Sequence, residues 1–251
     1  MLRVATRWLT IGVSIVLFCS FGVAQETTRW GTMSFNFIID ALERQQSGVR
    51  PQASYQVIRE YRLSGANDSS ANSHVIAEVD FRPPASTNYR IQKSSGSSRG
   101  QQVVRRVLDH EVEATSNGQQ ARTVINRENY DFNYIGEVVL DGRPCYLLGL
   151  KPKRKEKDLI TGEVWVDKHS FLVRQIDGEI AKTPSWWLRK VRLKLTFGDL
   201  DGTWLQTGME AVADVRIIGL HTLTSRILDY RSAEVASTRT RIRPADRKSS
   251  D

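Results

Sequence analysis

Cysteine, histidine and the short motifs of catalysis are what this chain has least of. Two cysteines occur in 251 residues, and Cys19 lies in an apolar N-terminal run, which leaves Cys145 with no partner for an internal disulfide. Stability therefore has to come from core burial. The four histidines, His74, His110, His169 and His221, stand at no metal-ligand spacing to one another or to Cys145. Asp109-His110-Glu111 makes no metal site either, because adjacent residues of a helix point in different directions. There is no H-E-x-x-H and no phosphate-cradling glycine loop. His169, in a turn next to Asp167, reads as a solvated side chain. No catalytic residue, metal ligand or cofactor site is expected, and the chain does not read as an enzyme.

The N-terminus is an address. Arg3 and Arg7, the apolar run Leu9 to Phe21 and the small residues Gly22-Val23-Ala24 follow the order of a secretory signal peptide, residues 1–24, with cleavage expected after Ala24. The alternative is an uncleaved inner-membrane anchor, since Trp8 to Ala24 approaches the length of a short span. Bulky Phe18 before Cys19 speaks against lipid attachment there. Either way the folded part is placed outside the cytoplasm. Removing Arg3 and Arg7 lowers the formal charge from +8 to +6, spread along the chain. An exported chain without a nucleic-acid motif has no nucleic-acid partner to expect, and an anionic membrane surface suits the charge better.

Periodicity then gives a helix, a strand meander, a second helix and a long run of strands. From Thr32 to Gln46, Met33, Phe35, Phe37, Ile38, Ala41 and Leu42 recur at spacings of mostly three and four, an amphipathic helix. Tyr55, Val57, Tyr61 and Leu63 alternate, interrupted by Arg59, and Val75, Ala77, Val79 and Phe81 mark the next strand, stopped by Pro83-Pro84. A third begins at Asn88. Asn67-Asp68-Ser69 matches a glycosylation pattern too common to weigh. Ser94 to Gly100 reads as a flexible linker before a second amphipathic helix built on Val103, Val104, Val107, Leu108 and Val112, with Arg105, Arg106, Asp109 and Glu113 on its wet face. Strands follow from Tyr130. Cys145 to Leu150 is apolar at both parities, Glu163 to Asp167 and Leu172 to Ile180 form a hairpin, and Val191, Leu193, Leu195 and Phe197 alternate with Arg192, Lys194 and Thr196. Further strands are expected at Thr203 to Met209, Ala211 to Ile218 and Leu223 to Tyr230, before a disordered basic tail, residues 233–251.

The fold class expected is mainly β (α+β): a large curled antiparallel sheet of about ten strands with two helices on its concave face. What the helices leave uncovered is an apolar cavity suited to a hydrophobic ligand. Val164, Val166, Val191, Leu193, Leu195, Phe197, Tyr55, Val57, Val75 and Val79 are the candidate lining. Lys151, Lys153, Arg154, Lys155 and Lys157 of the run KPKRKEKD, with Trp186 and Trp187, are candidates for docking to a membrane or a partner, against the plainer readings of a solvated hairpin tip and a loop folded back on the core. Trp165 points away from Val164 and Val166 and reads as cover for the other face.

An N-terminal helix, a strand meander, an internal helix and then GEVWVDKHSFLVRQIDGEI followed by alternating strands resemble the periplasmic lipoprotein-carrier superfamily, the LolA/LolB-like fold that includes RseB-like proteins. In letters the resemblance rests on Trp165-Val166-Asp167, a short turn and Leu172-Val173-Arg174. It implies an unclosed β-barrel over residues 25–232, helices plugging its mouth, and lipid or lipoprotein acyl chains bound noncovalently inside for transfer between membranes, as in outer-membrane lipoprotein sorting. In carrier members an arginine is associated with holding the closed state; no position here matches that motif. The alternatives are an RseB-like regulatory or assembly module that binds an envelope protein partner, and a membrane-anchored scaffold.

Overall fold

The computed structural model describes residues 26–48, 53–66, 72–83, 86–116 and 124–232; the signal segment, the 67–69 glycosylation pattern and the tail lie outside them. Helix α1 (Glu26–Gly48) precedes strands β1 (Tyr55–Gly65), β2 (Ser73–Arg82) and β3 (Ser86–Gly96), and α2 (Ser98–Ser116) follows. Seven more strands follow among the described residues: β4 (Tyr130–Leu140), β5 (Arg143–Pro152), β6 (Ile160–Asp167), β7 (Val173–Ile180), β8 (Leu188–Leu200), β9 (Thr203–Val215) and β10 (Gly219–Ser232). All ten form one antiparallel sheet in the order β3-β2-β1-β10-β9-β8-β7-β6-β5-β4. Nearly every neighbour in the sheet is also a neighbour in sequence; the exception is the β1–β10 ladder, which pairs Tyr55 with Ser232 and Gly65 with His221. The sheet does not close, since β3 and β4 are its two edges. The fold is an unclosed, mainly β half-barrel with two helices.

Period-two alternation sorts the strands into an inner and an outer face. On the inner face two apolar clusters form, each under its own helix. Ile38, Ile39 and Leu42 of α1 pack with Leu148, Leu150, Val164, Val166, Val173 and Ile176. Val104 and Leu108 of α2 pack with Val57, Tyr61, Leu63, Val75, Ala77, Val79 and Leu223. Full burial of such side chains contributes about 1.5–3 kcal/mol each, so the helices are held by these faces rather than by propensity.

Three expectations are corrected. Ser94 to Gly100 is no linker: it completes β3 and opens α2, where the Gly100 N–H donates to Ser97 Oγ at 3.0 Å as an N-cap. Phe37 is not part of the buried stripe of α1; it is 57% exposed and sits edge-on to Phe171, 5.7 Å away. The two strands expected between Thr203 and Ile218 are one, β9, because Met209, Glu210 and Ala211 continue a single alternation, and the chain turns instead at Arg216-Ile217-Ile218.

Strands β6 and β7 approach each other closely at a pair of glycines. Gly162 and Gly178 pair across β6 and β7. A methyl on Gly162 would meet the Asp177 carbonyl oxygen, and one on Gly178 the Thr161 carbonyl oxygen and Ile160 Cγ2. Gly178→Ala is expected to lower stability by about 1–3 kcal/mol in urea unfolding, the usual cost of overpacking.

The outer face is held by ions. Glu60 accepts from Arg62 at 2.7 Å and from Arg226 at 2.6 Å, and lies 2.8 Å from His74 Nε2. The Arg62 hydrogen bond, opposed by burial and reinforced by Arg226 and His74, brings the Glu60 carboxyl down to about 2. A depressed carboxylate contributes stability that is fully present above its unfolded value near 4.5 and lost as pH falls towards about 2. Denaturant unfolding across that interval is expected to show a loss that Glu60→Gln reduces, Asp167 supplying part of the remainder.

Candidate functional site

Among the described residues the inner face is sealed at its two flanks and half-buried in the middle. Val57 and Val75 are buried beneath α2 with Val79 beside them, and Val164 and Val166 beneath α1. Tyr55 is half-buried, stacked on Phe81 at 5.0 Å and on Tyr230 at 6.0 Å. Val191, Leu193 and Leu195 on β8 remain half-buried, as do Met209, Ala211 and Ala213, which pair with them from β9. Leu193, Leu195 and Phe197 border the α1 cluster, and Met209 and Ala211 border the α2 cluster. The ten candidate lining residues thus share one face but not one environment. The stripe on β8 is accessible, and the others lie below or beside the helices.

A charged residue sits on this apolar face where sequence reading saw only an interruption. Arg59 pairs with Ala77 of β2 between two inward pairs, Val57–Val79 and Tyr61–Val75, so it points inward. Its Nη1 lies 3.5 Å from both carboxylate oxygens of Glu111 on α2, and Nη2 donates to the Gln206 carbonyl at 2.9 Å. Tyr61 Oη donates to Glu111 at 3.4 Å, and burial, aided by the Glu111 charge, pushes the phenol above its ordinary range. Two register shifts frame the arginine. On one side Ile58 pairs with Asp229 while Arg59 pairs with Ile227; on the other Phe197 pairs with Gln206 while Thr196 pairs with Gly208. Such bulges re-aim groups locally, and the second leaves the Gln206 carbonyl for Arg59. Arg59 Nε is buried without a hydrogen-bond partner.

Neighbouring side chains of α2 reach in three directions. Asp109 accepts from Tyr89 Oη of β3 at 2.6 Å, His110 Nε2 lies 3.3 Å from Asp158 in the β5–β6 connection, and Glu111 faces Arg59. The helix is therefore fastened to both flanks of the half-barrel.

The Trp165-Val166-Asp167 hairpin has a structural job. Asp167 Oδ1 accepts from the backbone N–H groups of His169 at 2.9 Å and Ser170 at 3.0 Å, an Asx arrangement that fixes the turn, and Arg174 approaches its other oxygen at 3.4 Å. Burial pushes the Asp167 carboxyl up, and these hydrogen bonds outweigh it, leaving the group below its usual range. Arg174 in turn lies over the Trp204 ring, 5.5 Å from its centre. Trp165 is half-buried on the outer face. Burial raises the Cys145 thiol, which keeps it protonated and unreactive.

The basic run divides. Lys153 donates to the Arg127 carbonyl at 2.6 Å, and Arg154 donates to Asn129 Oδ1 at 2.8 Å and pairs with Glu156 at 3.1 Å, so these two brace the β5–β6 connection. Lys151, Lys155 and Lys157 are exposed. Trp186 and Trp187 lie in the β7–β8 connection, at the same end of the sheet.

A G-x-S-x-G pattern that the sequence reading missed, Gly96-Ser97-Ser98-Arg99-Gly100, sits at the β3–α2 junction. A nucleophile elbow strains the serine itself; here the positive φ, +87°, belongs to Gly96, while Ser98 is an exposed first residue of α2. The segment works as a helix start.

With this geometry in view, solved structures give the comparison. The chain is similar to proteins of the LolA superfamily. A domain named for outer-membrane lipoprotein sorting, from Vibrio parahaemolyticus, is 14% identical over 78% of this chain and 92% of its own, with a TM-score of 0.42. A DUF1329 family protein from Desulfovibrio piger is 16% identical over 79% and 92%, with a TM-score of 0.42. A LolA-superfamily protein from Nitrosomonas europaea is 12% identical over 77% and 92%, with a TM-score of 0.37. No protein-family model matches the chain, and no curated protein does. Among the described residues no helix is long and apolar enough to cross a membrane, which says nothing of strands.

Removing one partner of a buried ion pair strands the other. Glu111→Ala is expected to destabilise the protein by about 2–4 kcal/mol, whereas Arg59→Met with Glu111→Leu recovers most of the loss, as read by urea unfolding of both variants beside the unaltered protein.

Proposed function

We propose that this chain is an exported carrier that binds the acyl chains of a lipid or lipoprotein noncovalently and hands them from one membrane to another, with residues 25–232 as the carrier domain. The observation that carries the reading is the half-buried apolar strip along β8 and β9, bordered by both helix-covered clusters and left roomy by the small side chains of Ala211 and Ala213. An extended acyl chain laid on Val191, Leu193, Leu195 and Met209 gains about 0.8 kcal/mol for each methylene buried. No covalent step is needed; release follows handover to an acceptor that buries the chain better.

The Arg59–Glu111 contact gives the strip a means of widening. While it holds, α2 covers Val57, Val75 and Val79. When it parts, those side chains join the binding surface, and Arg59 Nε is a ready donor for the ester or carboxylate end of the ligand. Val164 and Val166 form the corresponding floor under α1.

The test is lipid content and uptake. Protein recovered from its producing cell is expected to carry extractable lipid in native mass spectrometry, and the delipidated protein to take up a fluorescent fatty acid. Ala211→Phe, which fills the strip, is expected to weaken uptake roughly tenfold, about the loss of two buried methylenes, with unchanged far-UV circular dichroism. Protein that is always empty and takes up no fatty acid overturns the reading.

A second reading, an RseB-like module for an envelope protein partner, is favoured by the edge strand β4. It exposes Tyr134, Ile135 and Val139, the last 72% open, along an unpaired ladder suited to strand addition. A stoichiometric envelope protein retained after delipidation would put this reading first. An anchored scaffold is separated from both by the N-terminal sequence of the exported protein, where a start at Gln25 removes the anchor.

A further inference from the structure

Two connections at one end of the sheet carry apolar side chains that the fold does not use. The β9–β10 turn is Arg216-Ile217-Ile218, and the β7–β8 connection contains Trp186 and Trp187. They are joined: the Arg216 N–H donates to the Trp187 carbonyl at 2.8 Å, and Leu188 pairs with Val215. Trp186 is 82% exposed and Ile217 98%, with Ile218 and Leu220 exposed beside them. Ile217 also has φ +80°, a region that a β-branched side chain enters only at a cost. Glycine or asparagine is what such a turn ordinarily carries. A strained isoleucine that packs on nothing among the described residues contributes nothing to their fold, so its favourable contact is sought outside it.

We propose that this double tip is a membrane-docking element, which inserts Trp186, Ile217 and Ile218 into the interfacial zone of an anionic bilayer. Tryptophan favours the headgroup level, and an aliphatic side chain on a narrow turn reaches past it to the acyl boundary. The flanking charge fits: residues 179–190 and 214–219 carry four cations, Lys182, Arg189, Lys190 and Arg216, against two carboxylates, Glu179 and Asp214. Arg189 lies 3.9 Å from Asp214, and Lys190 pairs with Glu179 at 2.5 Å. The surplus is positive, as anionic headgroups require. Two narrow tips suit a bilayer surface better than the broad flat patch of a protein–protein interface. The element also stands at the Val191 and Ala213 end of the β8–β9 strip, so an acyl chain leaving the bilayer meets the strip directly, although docking does not depend on carriage.

Flotation tests it, with protein as the cell exports it and vesicles of phosphatidylcholine with or without phosphatidylglycerol. The unaltered protein is expected to float with the anionic vesicles and to lose affinity with salt. Ile217→Ser with Trp186→Ser weakens binding at least roughly tenfold, given the apolar area withdrawn. Lys182→Glu with Arg216→Glu removes the preference for anionic lipid. Ile217→Gly separates docking from folding, since it relieves the turn and raises the melting temperature while still weakening flotation. Ala211→Phe, which blocks the strip, leaves flotation unchanged, so a failure of carriage and a failure of docking are told apart. Flotation that survives the Ile217/Trp186 double substitution overturns the proposal. So does flotation without lipid-charge preference, or a dimer in sedimentation that Ile217→Ser dissolves, which would make the tip a self-association surface.

Discussion

A sheet of ten antiparallel strands that never closes has a concave apolar face wider than one helix can cover, and this chain depends on how that face is shared. Two helices take the flanks, α1 over β5 to β7 and α2 over β1 and β2, each with its own cluster of fully buried aliphatic residues. The strands between them, β8 and β9, keep their inner side chains half-buried. The accessible strip follows from the number of strands outrunning the number of helices. Adding a third helix would give a solid core; closing the sheet would give a barrel whose interior is filled by its own side chains.

Polar groups on that face are few and specific. Arg59 and Glu111 bring a charged pair into an apolar layer, which costs desolvation that their mutual contact offsets only while both are present. Such a pair is a poor source of net stability and a good determinant of where α2 must lie. The outer face uses charge differently. Glu60, Arg62, His74 and Arg226 lie side by side on neighbouring strands, and Arg90 with Glu78 and Arg192 with Asp177 repeat the pattern. These ion pairs lie along the wet side of the sheet.

Most of the architecture was legible because alternation survives in the letters. Val191, Leu193, Leu195 and Phe197 announce β8, and the spacing of Val104, Leu108 and Val112 announces α2. What failed was punctuation. A turn is expected at glycine, asparagine or aspartate, so Arg216-Ile217-Ile218 reads as strand in the letters and hides the hairpin that ends β9. Arg59 was visible as a break in the alternation of β1, but only the structure supplies Glu111, 52 residues away, as the reason for it. Trp165-Val166-Asp167 proved informative for a local reason: Asp167 closes the turn and Trp165 faces outward, so these letters mark how the hairpin folds and place no ligand. The two glycines that let β6 and β7 approach were present in the sequence without a sign that they pair.

The β1–β10 ladder, which joins the first strand to the last, has a consequence for the order in which this molecule can be made. All its other ladders link sequential strands and form locally as the chain emerges, but β1 lacks one neighbour until residues 219–232 arrive. Pairing across that separation makes contact order high and folding slow. Under the export proposed above, slowness has a use: the leading strands cannot complete the sheet while the trailing ones are still on the other side, and the polypeptide stays in the unfolded form that passes through a narrow channel.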